Sequence, residues 1–204
     1  MKRIVMLASG RGSNFLAVAS AIAEGKIAGR CVGLIVDRTG TPAAVRAESQ
    51  KIPVTTINYQ DFQSRDEYEA ALSAALRSMN PDLIVLAGYM RILGFSIIRE
   101  NAGRIINIHP SLLPSFAGLN AHRQAIEYGV RVSGCTVHFV DEGTDTGPII
   151  LQRCCAVNED DDESTLSDRI LALEHEALPE AVSLFCEGRL KIDGRRVFIS
   201  EEAE

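Results

Sequence analysis

Two residues on one short segment have the types and spacing for chemistry. They are Asn107 and His109, within "RIINIHPSLLPSF", Arg104 to Phe116. Ile105–His109 reads as an apolar strand, and alternate side chains of a strand share a face. Asn107 and His109 therefore point one way, Ile106 and Ile108 the other. Pro110 has no N–H to give and ends the ladder. An amide N–H₂ beside an imidazole can donate hydrogen bonds to a developing oxyanion, and the imidazole can move protons near neutral pH. The competing reading is a satisfied buried pair, the imidazole bonded to a carbonyl and the amide closing a turn. Position favours chemistry, because ligands of open α/β sheets bind at the carboxyl ends of strands.

Two other segments could complete a site. "DEGTDTG", Asp141 to Gly147, is a loop between strands. Read plainly, it is a hairpin connection with Asp and Gly for turn geometry. Asp145 would nevertheless be a natural partner for an imidazole, orienting it and favouring its protonated form. "LASGRGSN", residues 7 to 14, runs from a strand through a Gly-x-Gly turn into a helix opened by Ser13 and Asn14. Backbone N–H groups and the helix dipole there suit an anion, and phosphate is the natural guest. The plain reading is a tight turn capped by Ser13. A dinucleotide fingerprint is absent, since its third glycine would fall at Phe15. His109, His122, His138 and Asp145 show no HxH or HxxxH spacing, so no metal site is expected. His138 groups with Thr136 and Val140 on a strand face and receives no role. No G-x-S-x-G elbow supports a serine hydrolase.

The elements that must position these residues alternate along the chain. Strands are expected at Arg3–Ala8, Arg30–Val36, Val54–Ile57, Asp82–Ala87 and Ile105–His109. Helices are expected at Asn14–Glu24, Pro42–Gln50, from a Ser64/Glu67 capping pattern to Met79, and at Phe95–Asn101. Nearly unbroken apolar strands separated by helices imply an α/β protein with a mainly parallel sheet and helices on both faces. The second half departs from this pattern. After a helix at His122–Tyr128 come two strands, Gly134–Val140 and Pro148–Val157, expected to pair antiparallel. A long helix, Thr165–Cys186, follows the acidic run "NEDDDES", and Asp193-Gly194 marks the turn of a terminal hairpin.

Bulk properties exclude several classes. The 204 residues are 46% hydrophobic and 24% charged, an ordinary globular composition for one domain. A net charge of −6 disfavours a nucleic-acid surface. The apolar run Ile4–Ala8 is too short for a signal peptide, and no segment approaches the roughly 20 apolar residues of a membrane span. Five cysteines without CxxC spacing read as reduced thiols, mostly small core residues, of a cytoplasmic protein.

Taken in order, "SGRGSN", "AGYMRIL" (Ala87–Leu93), "NIHPSLLPSFAGLNAHRQAI" (Asn107–Ile126) and "GCTVHFVDEGTDTGPIILQ" (Gly134–Gln152) resemble the phosphoribosylglycinamide formyltransferase family, folate-dependent one-carbon enzymes of purine synthesis. The resemblance runs from about Lys2 to Leu190. It implies a Rossmann-like formyltransferase fold with an antiparallel extension, as one domain over 1–204. That domain would have a phosphate-binding half to about 100, a folate and catalytic half over about 101–190, and a hairpin tail over about 189–204. It further implies that Gly12, Ser13 and Asn14 hold the 5′-phosphate of glycinamide ribonucleotide, with Glu174 adding a substrate contact. Arg65, Met90, Arg91, Ile92, Leu93, Asn107, Val140, Asp141, Glu142, Gly143, Thr144 and Asp145 would hold 10-formyltetrahydrofolate, the co-substrate. The catalytic trio would be Asn107, His109 and Asp145, with no metal. The implied partners are these small molecules alone, neither nucleic acid nor membrane, for a monomer or homodimer. Two departures stand out. Leu171 falls where relatives often have a polar residue near the phosphate, and Asn120 where His is common. A formyltetrahydrofolate hydrolase, a methionyl-tRNA formyltransferase and a noncatalytic nucleotide- or folate-binding module are the alternatives.

Overall fold

The computed structural model describes residues 1–201, which divide into two compact units, Met1–Ile106 and the chain from Asn107 onward. In the first, β1 (Lys2–Ala8), β2 (Gly29–Val36), β3 (Val54–Thr56) and β4 (Leu83–Leu86) form a parallel sheet in the order β3-β2-β1-β4. Helices α1 (Ser13–Ala23), α2 (Pro42–Ser49), α3 (Arg65–Met79) and α4 (Phe95–Glu100) alternate with these strands. Ile4, Val5, Met6 and Leu7 on β1 and Leu83, Ile84 and Val85 on β4 are completely buried. Unbroken apolar runs of this kind mark strands covered on both faces.

Local chemistry sets the helix ends, not always as the residue types suggest. Ser64 accepts from Glu67 N at 3.2 Å and starts α3, while the Glu67 carboxylate reaches back to Gln63 N at 3.0 Å. At α1 the expected serine cap is replaced. The N-cap is Gly12, in the left-handed region at φ 71°, and Ser13 is already helical. A Cβ at Gly12 would stand 2.6 Å from both Ala43 Cα and Cβ. Only glycine meets both the dihedral and the approach of α2. Gly12→Val is expected to destabilise by about 2–5 kcal/mol, from left-handed strain plus overpacking. Thermal melting checks this, with a fall in Tm of roughly 5–15 °C.

Strand β5 (Ile105–His109) straddles the boundary, its last three residues opening the second unit. That unit has α5 (Ala121–Tyr128), the antiparallel pair β6 (Val132–Phe139) and β7 (Ile149–Ala156), and the long helix α6 (Glu163–Cys186). The hairpin β8 (Leu190–Asp193) and β9 (Arg196–Ile199) follows, β9 running parallel to β7. Strand order here is β5-β6-β7-β9-β8. Helix α6 starts two residues before the expected Thr165, because Asp162 and Thr165 form a reciprocal capping box. The cysteines also differ from expectation. Only Cys135 is buried, and Cys154 is exposed.

Candidate active site

In the second unit one carboxylate organises the chemistry. Asp145 Oδ2 accepts from Gly118 N at 2.8 Å and lies 3.3 Å from His109 Nδ1. Its Oδ1 lies 3.5 Å from Asn107 Nδ2 and 3.7 Å from His138 Nε2. The alternation of β5 thus aims Asn107 and His109 at the same group. Asp145 is held at φ 55°, a left-handed conformation uncommon for a non-glycine residue. Asp141 stiffens the loop by accepting from Gly143 N at 3.1 Å and Thr146 Oγ1 at 2.6 Å. A Cβ at Gly147 would collide with the Phe139 carbonyl, so that close return of the loop needs glycine. Burial pushes the Asp145 carboxyl pKa up. The His138 imidazole, the Gly118 N–H and the pull of His109 outweigh burial, so it titrates below its ordinary range.

His109 is 5% exposed, and both ring nitrogens face acceptors. Nε2 lies 2.9 Å from the Phe116 carbonyl, and Nδ1 faces Asp145. An imidazolium satisfies both at once. The segment leaving β5 is pinned. Thr136 Oγ1 donates to Ser111 O at 2.6 Å and accepts from Leu113 N at 3.0 Å, and Gln152 Nε2 donates to Leu113 O at 3.0 Å. Those bonds hold the stretch that presents the Phe116 carbonyl.

His138 belongs to this cluster although strand alternation alone gave it no role. It is 2% exposed, with Nδ1 2.9 Å from the Phe139 carbonyl and Nε2 3.2 Å from Asn107 Nδ2. A carbonyl can only accept, so Nδ1 carries the proton and Nε2 accepts from the Asn107 amide. The amide N–H₂, and not its oxygen, therefore faces the cluster. The β6–β7 register shifts between Val137 and His138, and such bulges re-aim side chains beside active sites. His138→Ala is expected to lower kcat about 10-fold with little change in either KM, because Asn107 loses the bond fixing its amide. Steady-state kinetics in both substrates check this.

Glu174, on α6, is 7% exposed, close enough to Cys135 to act with burial in pushing that thiol up to about 12. Leu171 is half-buried one turn earlier on the helix. Asn120 is the left-handed N-cap of α5 at φ 59°, a conformation that Asn tolerates. Val140 and Asp141 are half-buried, and Glu142, Gly143 and Thr144 are exposed. Among the described residues no group of three or more His, Cys, Asp or Glu is placed to hold a metal ion. No helix there is long and apolar enough to cross a membrane.

The first unit carries the other expected residues at the carboxyl edge of its sheet. Gly12, Ser13 and Asn14 form the turn after β1 and the start of α1, whose first N–H groups have no acceptors within the helix. After β4, a cavity of about 280 Å³ is lined by Tyr59, Arg65, Tyr68, Glu69, Met90, Arg91 and Ile92. Arg65 is held by Glu69 Oε1 at 2.6 Å and by the Ile92 carbonyl at 3.2 Å. Met90 and Ile92 are 64% and 67% exposed, whereas Leu93 is buried and lines no part of the cavity. The Arg91 guanidinium is turned to structure. Its Nε lies 2.8 Å from the buried Asp37 carboxylate, and it stacks 3.7 Å above the Tyr59 ring. Tyr68 and Tyr89 share a short hydroxyl hydrogen bond, and burial pushes both phenols up.

This chain matches the family model described as "Formyl transferase" over residues 2–182. It is 46% identical over 193 residues to "Trifunctional purine biosynthetic protein adenosine-3" of Drosophila pseudoobscura pseudoobscura, covering 93% of this chain. The chain spans 14% of that relative's length. To "Phosphoribosylglycinamide formyltransferase" of Bacillus subtilis it is 41% identical over 182 residues, 89% of this chain and 93% of that protein. The solved structure of glycinamide ribonucleotide transformylase 1 from Symbiobacterium toebii superposes with TM-score 0.96 at 47% identity, covering 98% of this chain and 95% of that one.

Proposed function

The chain belongs to the formyl transferase family, and from that premise we propose that it transfers the formyl group of 10-formyltetrahydrofolate to the amine of 5′-phosphoribosylglycinamide, a cytoplasmic step of purine biosynthesis. The observation that carries the chemistry is the convergence of Asn107 and His109 on the Asp145 carboxylate.

As the amine attacks the formyl carbon, negative charge grows on the formyl oxygen. Asn107 Nδ2–H and a ring N–H of His109 donate to it. Nε2 is the better placed ring nitrogen energetically. It now serves a neutral carbonyl, Phe116 O at 2.9 Å, and an oxyanion is the stronger acceptor. Nδ1 meanwhile keeps its carboxylate, which steadies the cationic ring. The C–N bond to the folate then breaks, and the proton lost by the attacking amine reaches N10 through Asp145 or an ordered water.

Binding is assigned in the same way. The Gly12–Asn14 turn takes the 5′-phosphate, supported by a helix start whose N–H groups favour an anion. The cavity beside Met90 and Ile92 has apolar and aromatic walls and two cations, Arg65 paired with Glu69 and Arg91 paired with Asp37, a lining that suits an aromatic ligand bearing carboxylates. In the first unit the folate is assigned to this cavity, with Arg65, Met90, Arg91 and Ile92 as its contacts.

The test follows deformylation of 10-formyltetrahydrofolate with and without the ribonucleotide. Turnover that requires the ribonucleotide is expected. Turnover without it would make water the acceptor and the protein a hydrolase. Binding of folate with no turnover in either case would leave a noncatalytic module.

A further inference from the structure

At the carboxyl edge of the first unit, the proposed phosphate turn and the proposed folate loop are joined through one residue. Ser9 follows β1 directly, just before the Gly10–Gly12 turn, and is 2% exposed. Its backbone N–H donates to the Gly88 carbonyl at 3.1 Å, and its Oγ accepts from Met90 N at 2.9 Å. These two bonds bracket the point where the chain leaves β4. Gly88 there is left-handed at φ 77°. Beyond it the Arg91 side chain is tied to Asp37, but the backbone at Met90 is held by the Ser9 hydroxyl. On its other side the turn is fixed as well, because the Gly10 carbonyl accepts from Ala43 N at 3.2 Å.

We propose that Ser9 is a positioning residue for formyl transfer, setting the folate loop in a fixed relation to the turn that holds the ribonucleotide phosphate. This rests on the formyltransferase reading above. The reaction joins two ligands, each gripped by one of these loops, and a misplacement of about 1 Å can cost on the order of 10²-fold in rate. A hydroxyl is well suited to the task. It accepts from a main-chain N–H without entering the ligand space, and its own backbone N–H keeps the adjoining strand in register. In Ser9→Ala the Gly88 bond survives and only the Met90 bond is lost. The part-buried Met90 N–H is then left without its acceptor, and the loop that presents Met90 and Ile92 is released.

The experiment compares wild type and Ser9→Ala by steady-state kinetics in both substrates, with tetrahydrofolate binding by calorimetry and Tm as controls of folding. The expected result is a roughly 10-fold weaker affinity for tetrahydrofolate and a similar rise in KM for 10-formyltetrahydrofolate. The KM for the ribonucleotide should stay within about twofold and kcat should fall, since the loops no longer share one frame. Unchanged folate affinity would overturn the proposal. So would equal losses for both substrates, which describe a merely structural serine. Wild type that binds no tetrahydrofolate would remove the formyltransferase reading itself and this proposal with it, an outcome distinct from a failure confined to the variant.

Discussion

Asp145→Asn is expected to lower kcat/KM for formyl transfer by about 10³–10⁴-fold in a chain that still folds, the scale of loss when a carboxylate behind a catalytic imidazole is neutralised. The reason is a count of donors. Gly118 N, His109 Nδ1 and Asn107 Nδ2 all approach its two carboxylate oxygens. An amide has one acceptor oxygen. With that oxygen toward Gly118 and His109, the new N–H₂ faces the N–H₂ of Asn107. Reversed, it faces the Gly118 N–H and His109 Nδ1. Either arrangement turns at least one oxyanion donor away or forces the imidazole to another tautomer. The kinetic signature is a fall in kcat with both KM values little changed.

The same substitution has a consequence for stability with a definite sign. The Asp145 carboxyl titrates below its ordinary value of 3.8 in the folded chain. Its ionised form therefore adds stability above that value, and the contribution disappears as pH falls through the lower folded value. Urea denaturation should separate wild type from Asp145→Asn at pH 7, and the gap should narrow as pH drops below about 4. A gap that widens in acid would mean that burial, and not its partners, dominates this carboxyl.

The approach of Asn107 and His109 to one group was legible because it depends on local rules. Alternation on β5 places Asn107 and His109 on one face, and a proline ends the strand where a ligand can reach them. Asp145 could be singled out as an imidazole partner, but its left-handed backbone and its hold on Gly118 are tertiary facts. His138 shows where the local rule stops. The shift between Val137 and His138 is a property of how β6 meets β7, and no spacing within β6 announces it. Ser13 illustrates the opposite error. Serine is a favoured cap, yet the approach of Ala43 puts glycine in that position and moves the helix start by one residue. The platform around Arg91 was illegible for a different reason. Asp37, Tyr59, Tyr68, Tyr89 and Arg91 come from four separate segments, and none has a spacing that links it to another.

His109→Ala should reduce formyl transfer by about 10²–10³-fold, the usual loss for one oxyanion donor. It is a cleaner test than Asp145→Asn, because the rest of the cluster keeps its partners. Asp145 retains Gly118 N at 2.8 Å, and Asn107 retains His138 at 3.2 Å. What is lost is one ring with two contacts, leaving the Phe116 carbonyl without its donor at a cost of about 1–3 kcal/mol. Folding should therefore survive, which Tm would report, and kcat should fall with ribonucleotide KM nearly unchanged. Asn107→Ala should lose a similar factor, and the double variant less than the product of the two, because the donors serve one oxygen. Retention of most activity in His109→Ala would move the oxyanion site elsewhere, to backbone N–H groups of the Asp141–Gly147 loop. A variant that deformylates the folate but no longer delivers the group to the amine would separate two roles for the imidazole. It would then be needed to guide the acceptor, and Asn107 alone would carry the developing charge.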